Sequence, residues 1–228
     1  MGIPYLVNTA WAVVTQLVKD WQKNPSMFCT EHDVHAELYC RLKITLLNLG
    51  EFYVKDRPNE KIIEKKSKHL WPRLNCEYPI IYDWEGKRSK IKPDIVLWDN
   101  LDSTKYPNID DRYSAIYDEE DNWPILWVCE IKYDSDIATE RTNLNEVKRW
   151  FRTGENEKYF NWDMEKMKIL VSYGKKGEPY FGTQYAGVLN LVKICAPGNG
   201  FYWDPEFKEG NGKLWMLHAY LPEEEFFK

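Results

Sequence analysis

The chain has 228 residues, a net charge of −5, 43% hydrophobic and 29% charged side chains, and 11 Trp, 15 Tyr and 9 Phe. This is an ordinary globular composition, aromatic enough for a sizeable core, with no sign of long disorder. No apolar run approaches the length of a membrane span, so no membrane association is expected.

The first predicted element is an amphipathic helix from about Pro4 to Trp21. No basic segment or small-residue cleavage site accompanies it, so it reads as a helix rather than a signal peptide. Thr30 with Asp33 three residues on resembles a helix N-cap with an acid in the first turn. From there Val34, Leu38, Leu42, Thr45, Leu46 and Leu49 fall on one stripe, which Gly50 ends. Residues 59–70 predict a shorter, strongly basic helix.

Residues 76–99, CEYPIIYDWEGKRSKIKPDIVLWD, predict a β-hairpin. Its first strand covers Cys76 to Asp83, its turn lies near Glu85 to Lys87, and its second strand runs to Asp99. An insertion over about 100–122 follows, with seven acids against Lys105 and Arg112, which equals the net charge of the whole chain. The remainder is therefore balanced, and local basic patches are open to it.

ILWVCEIKYD, residues 125–134, reads as a buried strand. A helix over 139–151 follows, with Leu144, Val147 and Phe151 at helical spacing. MKILVSYG, residues 167–174, predicts a further buried strand from its apolar run. YAGVLNLVKI and KLWMLHAYL predict two more toward the end. No internal repeat or linker divides the chain, so one α/β unit with a mixed sheet covered by helices is expected. Five scattered cysteines (Cys29, Cys40, Cys76, Cys129, Cys195) form no CxxC, which points to a reducing, cytoplasmic setting.

The chemistry concentrates in the strand at 125–134. Side chains alternate across a strand, so Leu126, Val128, Glu130 and Lys132 are expected on one face, and Ile125, Trp127, Cys129 and Ile131 on the other. Glu130 and Lys132 interrupt an apolar interior, and buried charges are costly unless paired or bound to a metal. In the preceding strand Pro93 cannot donate to a ladder and marks a strand start, edge or bulge. A bend there turns Asp94 out of the sheet. If the two strands are neighbours, Asp94, Glu130 and Lys132 converge at one sheet end. Two carboxylates with carbonyl oxygens suit magnesium, and a lysine beside them can polarise water or stabilise a phosphoryl oxygen.

Pro93-Asp94 followed by Glu130-Ile131-Lys132 resembles the PD-(D/E)XK nuclease superfamily. The resemblance implies a restriction-endonuclease-like mixed β-sheet flanked by helices, with a core over about 30–175. The N-terminal helix and extra C-terminal strands, in an extension over about 176–228, lie outside it. It implies Asp94 and Glu130 as metal ligands, assisted by the Ile131 carbonyl. Glu37 would be a third acidic ligand and Lys132 would serve the nucleophile. The cofactor would be Mg2+, with Mn2+ able to substitute. The reaction would be water attack on a phosphodiester of nucleic acid, DNA ahead of RNA, leaving a 5′-phosphate. Lys148, Arg149 and Arg152 would touch backbone phosphates. A homodimer is a further expectation, since cutters of both strands are commonly two-fold, although no helix advertises a dimer seam.

One departure is the spacing: thirty-six positions separate Asp94 from Glu130, because the acidic insertion lies between them. Several alternatives stand beside this reading. Glu31 rivals Glu37 as the helix acid. His32 and His35 lack the HExxH arrangement of a zinc helix and read as surface or cap residues. The acidic insertion is either a solvated excursion or a contact for a protein partner. The whole chain could also be a non-catalytic nucleic-acid-binding or assembly subunit that keeps the nuclease fold.

Overall fold

The structure, a computed structural model, describes residues 4–53, 72–77, 79–84, 87–99, 125–138, 164–171, 183–203 and 214–223. The basic helix expected at 59–70, the acidic insertion, and the helix at 139–151 lie outside the described residues, as do Lys148, Arg149 and Arg152.

Helix α1 spans Tyr5–Lys23 and α2 spans Glu31–Asn48. The start of α2 is set by a reciprocal capping box. The Thr30 hydroxyl accepts from the Asp33 N–H at 3.2 Å, and the Asp33 carboxylate accepts from the Thr30 N–H at 2.8 Å. These bonds satisfy donors that a bare helix end leaves open. Val34, Leu38, Leu42 and Leu46 form its buried stripe, whereas Leu49 caps the helix and is exposed.

Among the described residues eight strands follow: β1 Leu74–Cys76, β2 Ile80–Trp84, β3 Lys87–Ile91, β4 Ile95–Trp98, β5 Ile125–Ala138, β6 Thr183–Ala196, β7 Phe201–Trp203 and β8 Leu214–Pro222. Six form one mixed sheet in the order β1-β4-β5-β6-β8-β7, with β5, β6 and β8 parallel and the outer pairings antiparallel. Strand β6 is buried along nearly its whole length, as a parallel strand covered on both faces must be.

The expected hairpin is present but broken in two. β2 and β3 form a separate two-stranded ladder, while β1 and β4 carry its base into the main sheet. The break falls at Pro79 on one side and Pro93 on the other, residues that cannot donate to a ladder. Across it the Glu77 N–H donates to the Asp94 carbonyl at 3.2 Å.

Where it is described, the segment expected as a strand at 167–174 is helical instead. Residues 164–171 form a helix, α3, and the strand beside β5 is β6. A short apolar run has no period of its own. Here Met164, Met167, Leu170 and Val171 are buried while Glu165 is exposed, which is helical spacing. The expected core boundary near residue 175 therefore falls ahead of the sheet's central strand.

The helices lie on opposite faces. Buried residues of α1 and α2 pack with Trp127, Cys129, Ile131, Leu189, Leu191 and Leu217. Those of α3 pack with Val96, Val128, Val188, Met216 and the hairpin residues Ile80 and Ile91. Strict alternation along β5 fails at its start. Leu97 pairs with Trp127 but Trp98 pairs with Ile125, so Leu126 is an extra, bulged residue. It consequently packs toward α1 and α2, and Ile125 toward α3.

Two close approaches lock α1 to the sheet. Gly187 of β6 lies so close under Trp11 that a β-carbon would overlap the indole. Gly200, at φ +78°, gives up its carbonyl to the Gln22 amide at 2.6 Å, and the same amide reaches the Tyr220 carbonyl at 2.9 Å. Among the described residues no helix is long and apolar enough to cross a membrane.

Candidate active site

The break at Pro93 places Asp94 immediately before β4. Because Ile95 pairs with Cys129 in an antiparallel ladder, Asp94 stands opposite Glu130, one step beyond the last pair. There the Asp94 carboxylate replaces a backbone acceptor: its Oδ2 takes the Ile131 N–H at 2.6 Å. The two halves of the sequence motif, separated by the acidic insertion, therefore meet side by side.

From the other side comes the N-terminus of α2. Glu31 accepts from the Lys132 ammonium at 3.4 Å and from the Tyr133 N–H at 3.3 Å. The Tyr133 hydroxyl donates to the Phe28 carbonyl at 2.7 Å, which ties the start of α2 to this strand end. One turn along, His35 is half-buried, with its Nε2 enclosed and without a hydrogen-bond partner. Its position on the face near Asp94 differs from the surface or cap role expected of it.

Glu37 goes elsewhere. At 100° per residue it lies about 120° around the helix from Glu31. Its carboxylate accepts from the Arg41 Nε at 2.8 Å, and Arg41 also holds Asp20 of α1. The structure thus joins Glu37 to the α1–α2 seam and brings Glu31 to the strand end.

Glu130 faces α3. Its Oε1 lies 3.2 Å from the Lys166 ammonium, and its side chain is only 5% exposed. Lys166 was not singled out in the sequence, where it is one of many lysines; only the helical reading of 164–171 sets it on that face. Glu130 and Lys132, two residues apart, thus have partners on different helices, α3 and α2.

Burial pushes the Asp94 carboxyl above its usual range, and the negative Glu31 adds to that. The Ile131 N–H, Lys132 and His35 act in the opposite sense. Burial, with the charges of Asp94 and Glu130, drives the Cys129 thiol well up, so this cysteine stays neutral. Among the described residues no three of His, Cys, Asp and Glu are gathered tightly enough to hold an ion as arranged.

Family models, curated proteins and solved structures return no match to the chain.

The local arrangement continues across the sheet. Register aligns Lys132 of β5 with Asn190 of β6, and Asn190 with His218 of β8. Asn190 and His218 are both buried and share a hydrogen bond of 3.2 Å. They form a polar row across the sheet at the level of the candidate site.

Proposed function

We propose that the protein is a metal-dependent nuclease that hydrolyses phosphodiester bonds, with DNA the expected substrate ahead of RNA. The observation that carries this reading is the Asp94 carboxylate seated on the Ile131 N–H, which fastens the bend at Pro93 to the strand bearing Glu130 and Lys132. A bend held this way sets Asp94 across from Glu130, while Glu31 of α2 reaches Lys132 on the same strand. Phosphoryl transfer draws on such acids and a cation for charge neutralisation and positioning.

By donor type the acids and carbonyl suit a hard divalent ion, which would have to draw them closer than they stand. Asp94, Glu130 and Glu31 offer carboxylate oxygens and Ile131 a carbonyl, a chemistry suited to Mg2+ or Mn2+ rather than to soft metals. In this reading Glu31 takes the place first expected of Glu37. When bound, such an ion would neutralise phosphate charge and acidify a bound water. Lys132, half-exposed and held by Glu31, would orient the attacking water or steady the phosphoryl oxygen.

The test is cleavage of single- and double-stranded DNA and RNA with Mg2+, Mn2+ or EDTA, for wild type, Asp94→Ala and Lys132→Ala. Metal-dependent cleavage that falls at least about a hundredfold in both variants is the expected outcome. No cleavage, together with no calorimetric metal binding, would overturn the reading in favour of a non-catalytic nucleic-acid-binding or assembly subunit.

A further inference from the structure

Two lysines touch the acids of the candidate site, and they differ. Lys132 and Glu31 have side chains 33% and 41% exposed, a pair that water can dissolve at little cost. Lys166 and Glu130 are 22% and 5% exposed, so the Glu130 carboxylate is nearly dry and depends on charged company. Met164, Met167, Leu170 and Val171 pack α3 on the sheet, and Lys166 lies on the flank of that buried stripe. A divalent ion arriving at Glu130 therefore meets a positive charge already settled on that carboxylate.

We propose that Lys166 is an internal counter-cation of Glu130, which weakens metal binding to the free protein and couples it to binding of a phosphodiester anion. The inference rests on the nuclease reading above. Without substrate, the ammonium and a divalent ion compete for one buried carboxylate and repel each other. When a phosphodiester enters, its negative charge draws the ammonium away from Glu130, and the carboxylate is released to the metal. Coupling of this kind is reciprocal: substrate tightens metal binding and metal tightens substrate binding by the same factor. The ligand class is an anionic phosphodiester backbone.

The experiment titrates Mn2+ into metal-free wild type, Lys166→Gln and Lys166→Arg by calorimetry, with and without a phosphorothioate-linked DNA duplex that resists cleavage. Without DNA, Lys166→Gln is expected to bind Mn2+ about tenfold more tightly than wild type, the scale of removing one nearby positive charge in a partly wet site. Lys166→Arg, which keeps the charge, should stay close to wild type. The gain in Mn2+ affinity that DNA confers on wild type should shrink in Lys166→Gln. Lys166→Met, which keeps the apolar stem, serves the same purpose if the Gln variant does not fold. Unchanged or weaker Mn2+ binding in the neutral variants, with wild type still binding, overturns this inference and leaves the nuclease reading standing. No Mn2+ binding in any variant overturns both.

Discussion

Glu31 and Glu37 are separated by six positions and by a change of role. One touches the strand end that carries Lys132, while the other belongs to a seam between helices. Substituting each by glutamine separates the two. Glu31→Gln is expected to lower metal-dependent cleavage by about 10–100-fold, the usual range for losing a ligand's or its neighbour's contact. Glu37→Gln should leave cleavage at the wild-type level and cost at most about 1 kcal/mol of stability, because its ion pair is partly exposed. Steady-state rates and urea midpoints on the same preparations measure both. Asp94 makes a second prediction, on pH. Its folded carboxyl titrates above the ordinary 3.8, so its contribution to stability is fully present below 3.8 and is lost as pH rises through the folded value. Asp94→Asn keeps an acceptor for the Ile131 N–H but never ionises. It should therefore melt higher than wild type at pH 7, with the advantage fading as pH falls toward 3.8, even while cleavage is lost. Thermal melts across that range would refute the assignment if the two proteins ran in parallel.

Among the elements, the contact of α1 with β6 is the most exacting. Gly187→Ala inserts a methyl group into the Trp11 ring, so either the indole or the strand must shift. The expected cost is about 1–3 kcal/mol in denaturant unfolding, typical of overpacking. The same elements show what the sequence made legible. Helix α2 was readable because its start and its stripe are local properties: Thr30 and Asp33 cap each other, and Val34, Leu38, Leu42 and Leu46 recur at helical spacing. The bend at Pro93 was readable because proline has no N–H to give. Residues 164–171 were not, since MKILV is apolar in either period and only the buried set Met164, Met167, Leu170 and Val171 declares the helix. The choice between Glu31 and Glu37 was equally closed to the sequence. It depends on which side of α2 meets β5 and which meets α1, and that is decided by packing across the chain. The bulge at Leu126 is likewise a consequence of pairing with β4 rather than of any residue in β5 itself.

Across the whole molecule, acid stability is divided between opposing carboxyls. The hydrogen bond from Arg41 holds the Asp20 carboxyl below its usual range, and the N–H groups of Cys29 and Thr30 do the same for Asp33. Both contribute stability present above 3.8 and lost as pH falls through their folded values, whereas Asp94 acts in the reverse direction. Unfolding in acid should therefore set in below about pH 3.8, and Arg41→Gln should make the decline shallower because Asp20 then titrates nearer its ordinary value. Urea midpoints measured from neutral pH downward would show this, and an unchanged slope in the variant would discard Asp20 as a source.

The aromatic cluster that seats α1 has an optical consequence. Trp11 stands 5.6 Å from Trp127 at 82° and 5.5 Å from Trp215 at 39°, so one indole of α1 is flanked by indoles from two strands of the sheet. Transition dipoles this close and this far from parallel couple, and coupled indoles give a paired positive and negative band in far-ultraviolet circular dichroism. That signal should vanish in Trp11→Phe while the helical bands persist. The protein thus carries its own dichroic readout of whether its first helix is docked, usable in metal titrations without an attached dye.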